Sequence, residues 1–234
     1  MDTIPEFKHS ISKHQIKSLL KKEDPTIIEI GGHYGEDTIG FLKAFENPKV
    51  YCFEPDPRNI KIIKKYLDTT KFVLIEKAVS NESSKKVNFY MSYKENFDKK
   101  AMLTKYKWID KKDYLEEKIN RSGASSLKQG LDTVGNICSV ETVTLDSWSD
   151  ENNIKNVDFI WIDVQGAEKE VIEGATKILN STKFCYMEYG ETFYDGGLTR
   201  AETIVLMKKR GFVPMPDYSN HGNKGNLLFK GQQV

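Results

Sequence analysis

Acidic residues at the ends of apolar runs are the features of this chain whose types and spacing suit chemistry. Asp163 closes the run Val157-Asp158-Phe159-Ile160-Trp161-Ile162 and comes shortly before Gly166. Glu188 follows Phe184-Cys185-Tyr186-Met187, and Glu54 follows Lys49-Val50-Tyr51-Cys52-Phe53. Glu29 stands just ahead of Gly31, Gly32 and Gly35. Two carboxylates brought together can take a proton from a hydroxyl, hold an ammonium group or ligate a magnesium ion. A single carboxylate beside a glycine turn can accept both hydroxyls of a ribose. Asp163 and Glu188 are therefore candidate catalytic residues. His221, in the polar loop 219–223, is a third candidate base.

These acids need elements to aim them, and residues 26–38 supply the first. Ile27, Ile28 and Ile30 are apolar on both sides of the backbone, as in a central strand of a parallel sheet covered on two faces. Gly31, Gly32 and Gly35 then turn the chain and bring bare backbone close to a ligand. A dinucleotide fingerprint would need glycines at 33 and 36, where His33 and Glu36 stand, and no phosphate-cradling Gly-Lys-Ser/Thr run occurs. Glu36 and Asp37 at the helix start disfavour a phosphate there. A ligand with a cationic part fits better, and S-adenosylmethionine carries a sulfonium and an ammonium group. An ordinary tight strand-to-helix turn would read the same way. Glu54, nineteen residues after Gly35, sits near the offset at which an acid takes the cofactor ribose.

Composition removes several classes. The 234 residues carry 35 basic and 34 acidic side chains, a net charge of +1, which is no footprint of a nucleic-acid binder. No apolar run approaches a membrane span, and the first ten residues lack the apolar core of a signal peptide. Cys52, Cys138 and Cys185 are scattered and odd in number. They suit a reducing, cytoplasmic setting and read as buried small hydrophobes, with no zinc spacing.

Along the chain, residues 12–22 predict an amphipathic helix, either a lid over the turn or a packing helix on the sheet flank. Residues 26–80 predict a βαβαβ half with strand order 3-2-1 by the right-handed crossover rule. The loop after the third strand would bring the Ala78 backbone near an adenine. Residues 86–92 and 141–145 predict strands, and 94–120 predict a charged helical insertion with its aromatics tucked inward. The small-residue loop 121–127 lacks the second glycine of a hydrolase elbow. Residues 168–179 give a helix with a clean apolar face, and Thr199 with Glu202 forms a capping box. Residues 212–218 and 226–230 predict a closing pair of strands. The whole chain, 1–234, reads as a single domain.

Taken in order, Ile-Glu-Ile-Gly-Gly-His-Tyr-Gly, Phe-Glu-Pro-Asp-Pro, Lys-Ala-Val-Ser, Ser-Ser-Leu, Thr-Leu-Asp-Ser-Trp and Ile-Asp-Val-Gln-Gly-Ala-Glu resemble the FkbM-type family of S-adenosylmethionine-dependent methyltransferases. The resemblance implies a Rossmann-like class I α/β fold, with a seven-stranded sheet of order 3-2-1-4-5-7-6 and its last strand antiparallel. It implies O-methylation of a sugar, glycan or polyketide hydroxyl. Cofactor contacts are expected from Glu29, Gly31, His33, Gly35, Thr38, Glu54, Ala78, Ser126 and Asp163, with magnesium as an optional metal. The family usually has Asp at 29, Asn at 33, Lys at 161 and a frequent Glu at 165, where this chain has Glu29, His33, Trp161 and Gln165. The expected partner is a small-molecule or glycan acceptor, with no nucleic acid and no membrane insertion, and the oligomeric state is left open. An RNA methyltransferase and a non-catalytic binding module are the alternatives.

Overall fold

The computed structural model describes residues 9–93, 98–116, 122–130, 136–190, 194 and 196–232. The ends of the 94–120 insertion, Phe97 among them, and the first eight residues lie outside that set. In chain order the elements are α1 (Lys13–Leu20), β1 (Thr26–Ile30), α2 (Glu36–Ala44), β2 (Lys49–Phe53), α3 (Pro57–Tyr66), β3 (Val73–Ile75), β4 (Ala78–Val79) and β5 (Lys86–Tyr90). They continue with α4 (Lys99–Lys105), α5 (Lys111–Glu116), β6 (Ile137–Val143), α6 (Leu145–Glu151), β7 (Val157–Ile162) and α7 (Glu168–Glu173). The chain closes with β8 (Thr182–Gly190), α8 (Arg200–Lys209), β9 (Phe212–Pro214) and β10 (Lys224–Gly231).

Seven strands form the main sheet in the order β3-β2-β1-β7-β8-β10-β9. Counting only these seven, the order is 3-2-1-4-5-7-6, with β10 antiparallel to both neighbours. This is the expected class I arrangement. Period-two alternation in β1 sends Ile28 and Ile30 to one apolar layer and Ile27 to the other. The first layer holds Leu145, Trp148, Val171, Ile172 and Met207 from α6, α7 and α8. The second holds Ile16, Ile39 and Phe41 from α1 and α2. Parallel register places Glu29 beside Cys52 and Trp161, so one acid lies within an apolar face. The next residues out on that face of the sheet are Gly31 and Asp163.

Helix α1 is a packing helix on the sheet flank, since Ile16 and Leu20 sit in the second layer. Its N-terminal approach reaches further: Ser10 hydrogen-bonds the Tyr186 hydroxyl at 2.9 Å. The described part of the insertion carries helices α4 and α5, with Tyr106 and Tyr114 buried against Tyr34 and Ile62. Several expectations were incomplete, among them the helix expected over 168–179, which ends at Glu173 before Gly174 and resumes only as a short 3₁₀ turn from Ile178 to Ser181. Strands β4, β5 and β6 form a separate three-stranded sheet. The strand expected over 212–218 stops at Pro214, and Pro216 opens a short helical turn, because proline cannot donate to a ladder. Cys52 and Cys185 are buried, but Cys138 is only half-buried. Among the described residues no helix is long and apolar enough to cross a membrane.

The capping box at α8 is present, with the Thr199 hydroxyl accepting from the Glu202 amide at 3.1 Å. Thr199→Ala is expected to cost about 1 kcal/mol, read by urea denaturation at unchanged m-value.

Candidate active site

The carboxyl ends of β1, β2 and β7 border a cavity with an empty volume of about 520 Å³. Gly31, His33, Glu54, Ala78 and Asp163 line it, as the sequence led one to expect. Phe53, Val79, Phe89 and Leu127 are among its apolar lining, and Glu54, Asp163 and Gln165 among its polar lining. Gly31 takes φ of +94°, and a Cβ there would lie 1.9 Å from the Asp163 carbonyl oxygen. Only a residue without a side chain lets β1 and β7 end this close together. His33 has φ of +49°, a left-handed conformation that Asn, Asp and His adopt more readily than most residues.

Glu54 is buried at the end of β2. It accepts from the His33 amide at 2.6 Å and the Asp56 amide at 2.8 Å. Burial and the adjacent Asp56 charge push its carboxyl up to about 8, against the pull of those donors. His33 is fixed from several sides. Its ring stacks on Tyr34, with Nδ1 3.3 Å from Glu36 Oε2 and Nε2 3.3 Å from the Ser122 hydroxyl. The 122–127 loop is thereby tied to the glycine turn.

Asp163 and Glu188 come together as expected, because β7 and β8 run parallel with Ile162 opposite Met187. The Gln165 amide joins them, donating to Asp163 and to Glu188 Oε2, the latter at 2.7 Å. Its carbonyl accepts from the Tyr194 hydroxyl at 2.8 Å. Burial, then the neighbouring Glu188 charge, pushes Asp163 up to about 8. Burial raises Glu188 as well, while Lys224, 3.2 Å from its Oε1, opposes the rise. The nearby Glu188 charge thus favours the protonated form of Asp163.

Other expected residues fall elsewhere. Glu29 and Thr38 lie beneath the turn, where the Thr38 hydroxyl donates to the Glu29 carboxyl. Burial, followed by the Asp37 charge, pushes Glu29 well above the usual carboxylate range. Gly35 serves as the N-cap of α2 against Leu67. Ser126 turns its hydroxyl to the Val164 carbonyl at 3.2 Å and pairs its backbone with Tyr90, so it holds the loop rather than lining the cavity. His221 is exposed and borders no described cavity; the Asn220 amide ties its loop back to Asn226. Glu36 and Asp37 are not presented to a ligand either. Asp37 is taken by Lys13 at 2.6 Å and by His9 at 3.1 Å. The Lys13 ammonium lies 3.6 Å from the Trp161 ring centroid. Of the acids flagged in sequence, Glu54 and Asp163 are the ones that line the cavity.

Sequence reasoning flagged Gln165 only as a departure, and missed Ser122, Tyr194 and Lys224. The sole signal for Ser122 was its place in a small-residue loop, and Tyr194 and Lys224 had none. Among the described residues, no group of three or more His, Cys, Asp or Glu is placed to hold a metal ion. Asp163 and Glu188 are joined by an amide rather than completed by a third oxygen ligand, so magnesium does not fit here. S-adenosylmethionine does fit: a side-chain-free turn, a buried acid at β2, an apolar lining and a carboxylate pair are the groups its parts need.

The family model described as Methyltransferase FkbM domain matches residues 29–214. The chain is 35% identical over 222 residues to 2-O-methyltransferase NoeI of Sinorhizobium fredii (strain NBRC 101917 / NGR234), covering 94% of this chain and 85% of that protein. Among solved structures it is similar to a putative rRNA-methylase from Clostridium thermocellum, with a TM-score of 0.48 at 11% identity over 97% of both chains. It is also similar to magnesium protoporphyrin IX methyltransferase from Synechocystis PCC 6803 with bound SAM, with a TM-score of 0.46 at 7% identity over 94% of this chain and 79% of that one. The chain belongs to the FkbM methyltransferase family and is an S-adenosylmethionine-dependent O-methyltransferase.

Proposed function

We propose that the methyl group goes to a ring hydroxyl of a sugar or glycan, with Glu188 and Asp163 as the proton-accepting pair. The observation that carries this reading is Asp163 lining the donor cavity with Glu188 held beside it through the Gln165 amide. The donor supplies an electrophilic methyl on a sulfonium. A sugar hydroxyl is a weak nucleophile, so a positioned base that takes its proton in the transition state contributes strongly. Gly31 backbone and Glu54 hold the nucleoside, and Asp163 faces the cationic end. Ser122, Ser125 and Leu127 line the cavity from the loop side. The relative NoeI is named a 2-O-methyltransferase, which favours a hydroxyl oxygen as the acceptor atom.

A base must be ionised to act, and burial holds Asp163 protonated toward neutrality. The Asp163 base form therefore grows as pH rises through about 8. Below that value kcat/KM is expected to climb roughly tenfold per pH unit and then level off. A flat profile between about pH 6 and 8 would remove the pair from proton transfer.

The reading as a whole is tested with isotopically labelled S-adenosylmethionine offered hexoses, deoxyhexoses, oligosaccharides and RNA. Label on a ring hydroxyl oxygen is expected. Label on RNA alone would overturn the proposal.

A further inference from the structure

The acid at the end of β2 is short of acceptor positions for the ligand it faces. An ionised carboxylate offers about four lone-pair sites. Glu54 spends three on the chain: on the His33 amide at 2.6 Å, the Asp56 amide at 2.8 Å and the Asn59 side-chain amide at 3.3 Å. That leaves about one, whereas the vicinal diol of a ribose brings an O–H group on each carbon. Beside it stands an acceptor with nothing to accept. Asn59, on α3, lines the donor cavity and is 2% exposed, and its Oδ1 meets no donor among the described residues. We propose that Asn59 is a donor-binding residue: the ribose diol lies against Glu54, one O–H donating to the Glu54 carboxyl and the other to Asn59 Oδ1. The proposal rests on the nucleoside placement given under Proposed function and adds a residue that selects for an intact diol.

The chemistry of the pair fixes which way the amide faces. An ionised carboxylate only accepts, so the NH2 end of Asn59 turns to Glu54 and the carbonyl oxygen is the end left over. The helix that presents it is anchored. Asp56 caps α3 by accepting from the Arg58 amide at 3.0 Å, and Pro57 is pre-set for its first turn. The Arg58 guanidinium in turn grips the Asp56 carboxylate at 2.6 Å and the Ser125 hydroxyl at 3.0 Å. Asn59 is therefore held one turn into a fixed helix, next to the acid it serves. The nearby lining offers no rival acceptor: Phe53, Pro55 and Ala78 have apolar side chains, and Lys77 is a donor paired with Glu141. A buried acceptor without a donor carries its full desolvation penalty, which a ligand hydroxyl lifts. The oxygen that burdens the free protein thus strengthens donor binding, and a nucleoside lacking that hydroxyl is rejected because it leaves the acceptor unpaired.

The test is calorimetric titration of the full chain with S-adenosylhomocysteine, its 2′-deoxy and 3′-deoxy forms, and S-inosylhomocysteine. On the wild type each deoxy form is expected to bind about tenfold more weakly than the parent. Asn59→Ala, and Asn59→Leu, which keeps the side chain's size without its acceptor, should bind the parent about tenfold more weakly. In both variants one deoxy form should then lose nothing further, while the other still loses about tenfold. A mere strut for Glu54 would weaken every probe alike, so both deoxy forms losing as much in the variants as in the wild type would overturn the proposal. A deoxy form that binds the wild type as tightly as the parent would overturn it too. So would coupling to the inosine analogue alone, which would put Asn59 on the adenine. Glu54→Gln binding the parent like the wild type is a separate failure: it would bring down the nucleoside placement, and this proposal with it.

Discussion

Asp163→Asn is expected to lower kcat/KM about 100-fold or more at neutral pH without weakening the fold. The amide keeps the size of the carboxyl but can neither ionise nor attract a sulfonium. Donor affinity should fall with it, because Asp163 lines the donor cavity. Stability should move the other way. The native carboxyl is pushed up to about 8, so the folded state binds the proton more tightly than the unfolded one. Its contribution is full below the unfolded value of about 3.9 and is lost as pH rises toward the native value. Removing the acid removes that loss. The variant's Tm near pH 8 should therefore equal or exceed that of the wild type. Calorimetric titration with S-adenosylmethionine and thermal melts at two pH values check both halves. Unchanged turnover with intact donor binding would exclude Asp163 from the mechanism.

Gly31→Ala should be the most damaging single methyl in the donor site. The added Cβ would sit 1.9 Å from the Asp163 carbonyl oxygen and 2.9 Å from its carbon, both backbone atoms of the adjoining strand end. Neither can rotate aside, and φ of +94° is strained for any side-chain-bearing residue. Backbone strain of this kind costs about 1–3 kcal/mol by itself, and prising β1 from β7 adds to it. Both a lowered denaturation midpoint and loss of donor binding are expected in chemical-denaturation and calorimetric measurements. Wild-type stability in this variant would contradict the close approach of the two strand ends.

The parts of the fold that could be read from sequence are those written in short-range pattern. β1 and β7 are continuous apolar runs ended by glycine turns, so their burial and their role at the cofactor edge were visible. The 3-2-1 order of the first half followed because parallel crossovers are right-handed, while the rest of the sheet order was implied by the family resemblance. The capping box at Thr199 is a three-residue signal and was equally plain. What escaped depends on partners distant in sequence. Lys13 reaches Asp37 and Trp161 only because α1 docks beside α2. That docking neutralises the very acid which, in sequence, looked free to greet a cation. Strand β4 is two residues long and pairs with β6 more than sixty residues on, so periodicity had nothing to act on. Ser126 was expected from the family motif and His221 from its type and loop, and packing turned the first toward a carbonyl and left the second in solvent. The Asp163–Glu188 pair was foreseeable from adjacent strand ends. Gln165 between them was not, since its left-handed φ of +55° aims the amide in a way no pattern encodes.

The most direct test of the account is the structure of the protein with S-adenosylhomocysteine bound. The account predicts ribose hydroxyls on Glu54, the adenine beside Ala78, and the thioether sulfur facing Asp163 and Gln165. A nucleoside bound elsewhere, or bound here with its sulfur turned away from the carboxylate pair, would contradict it.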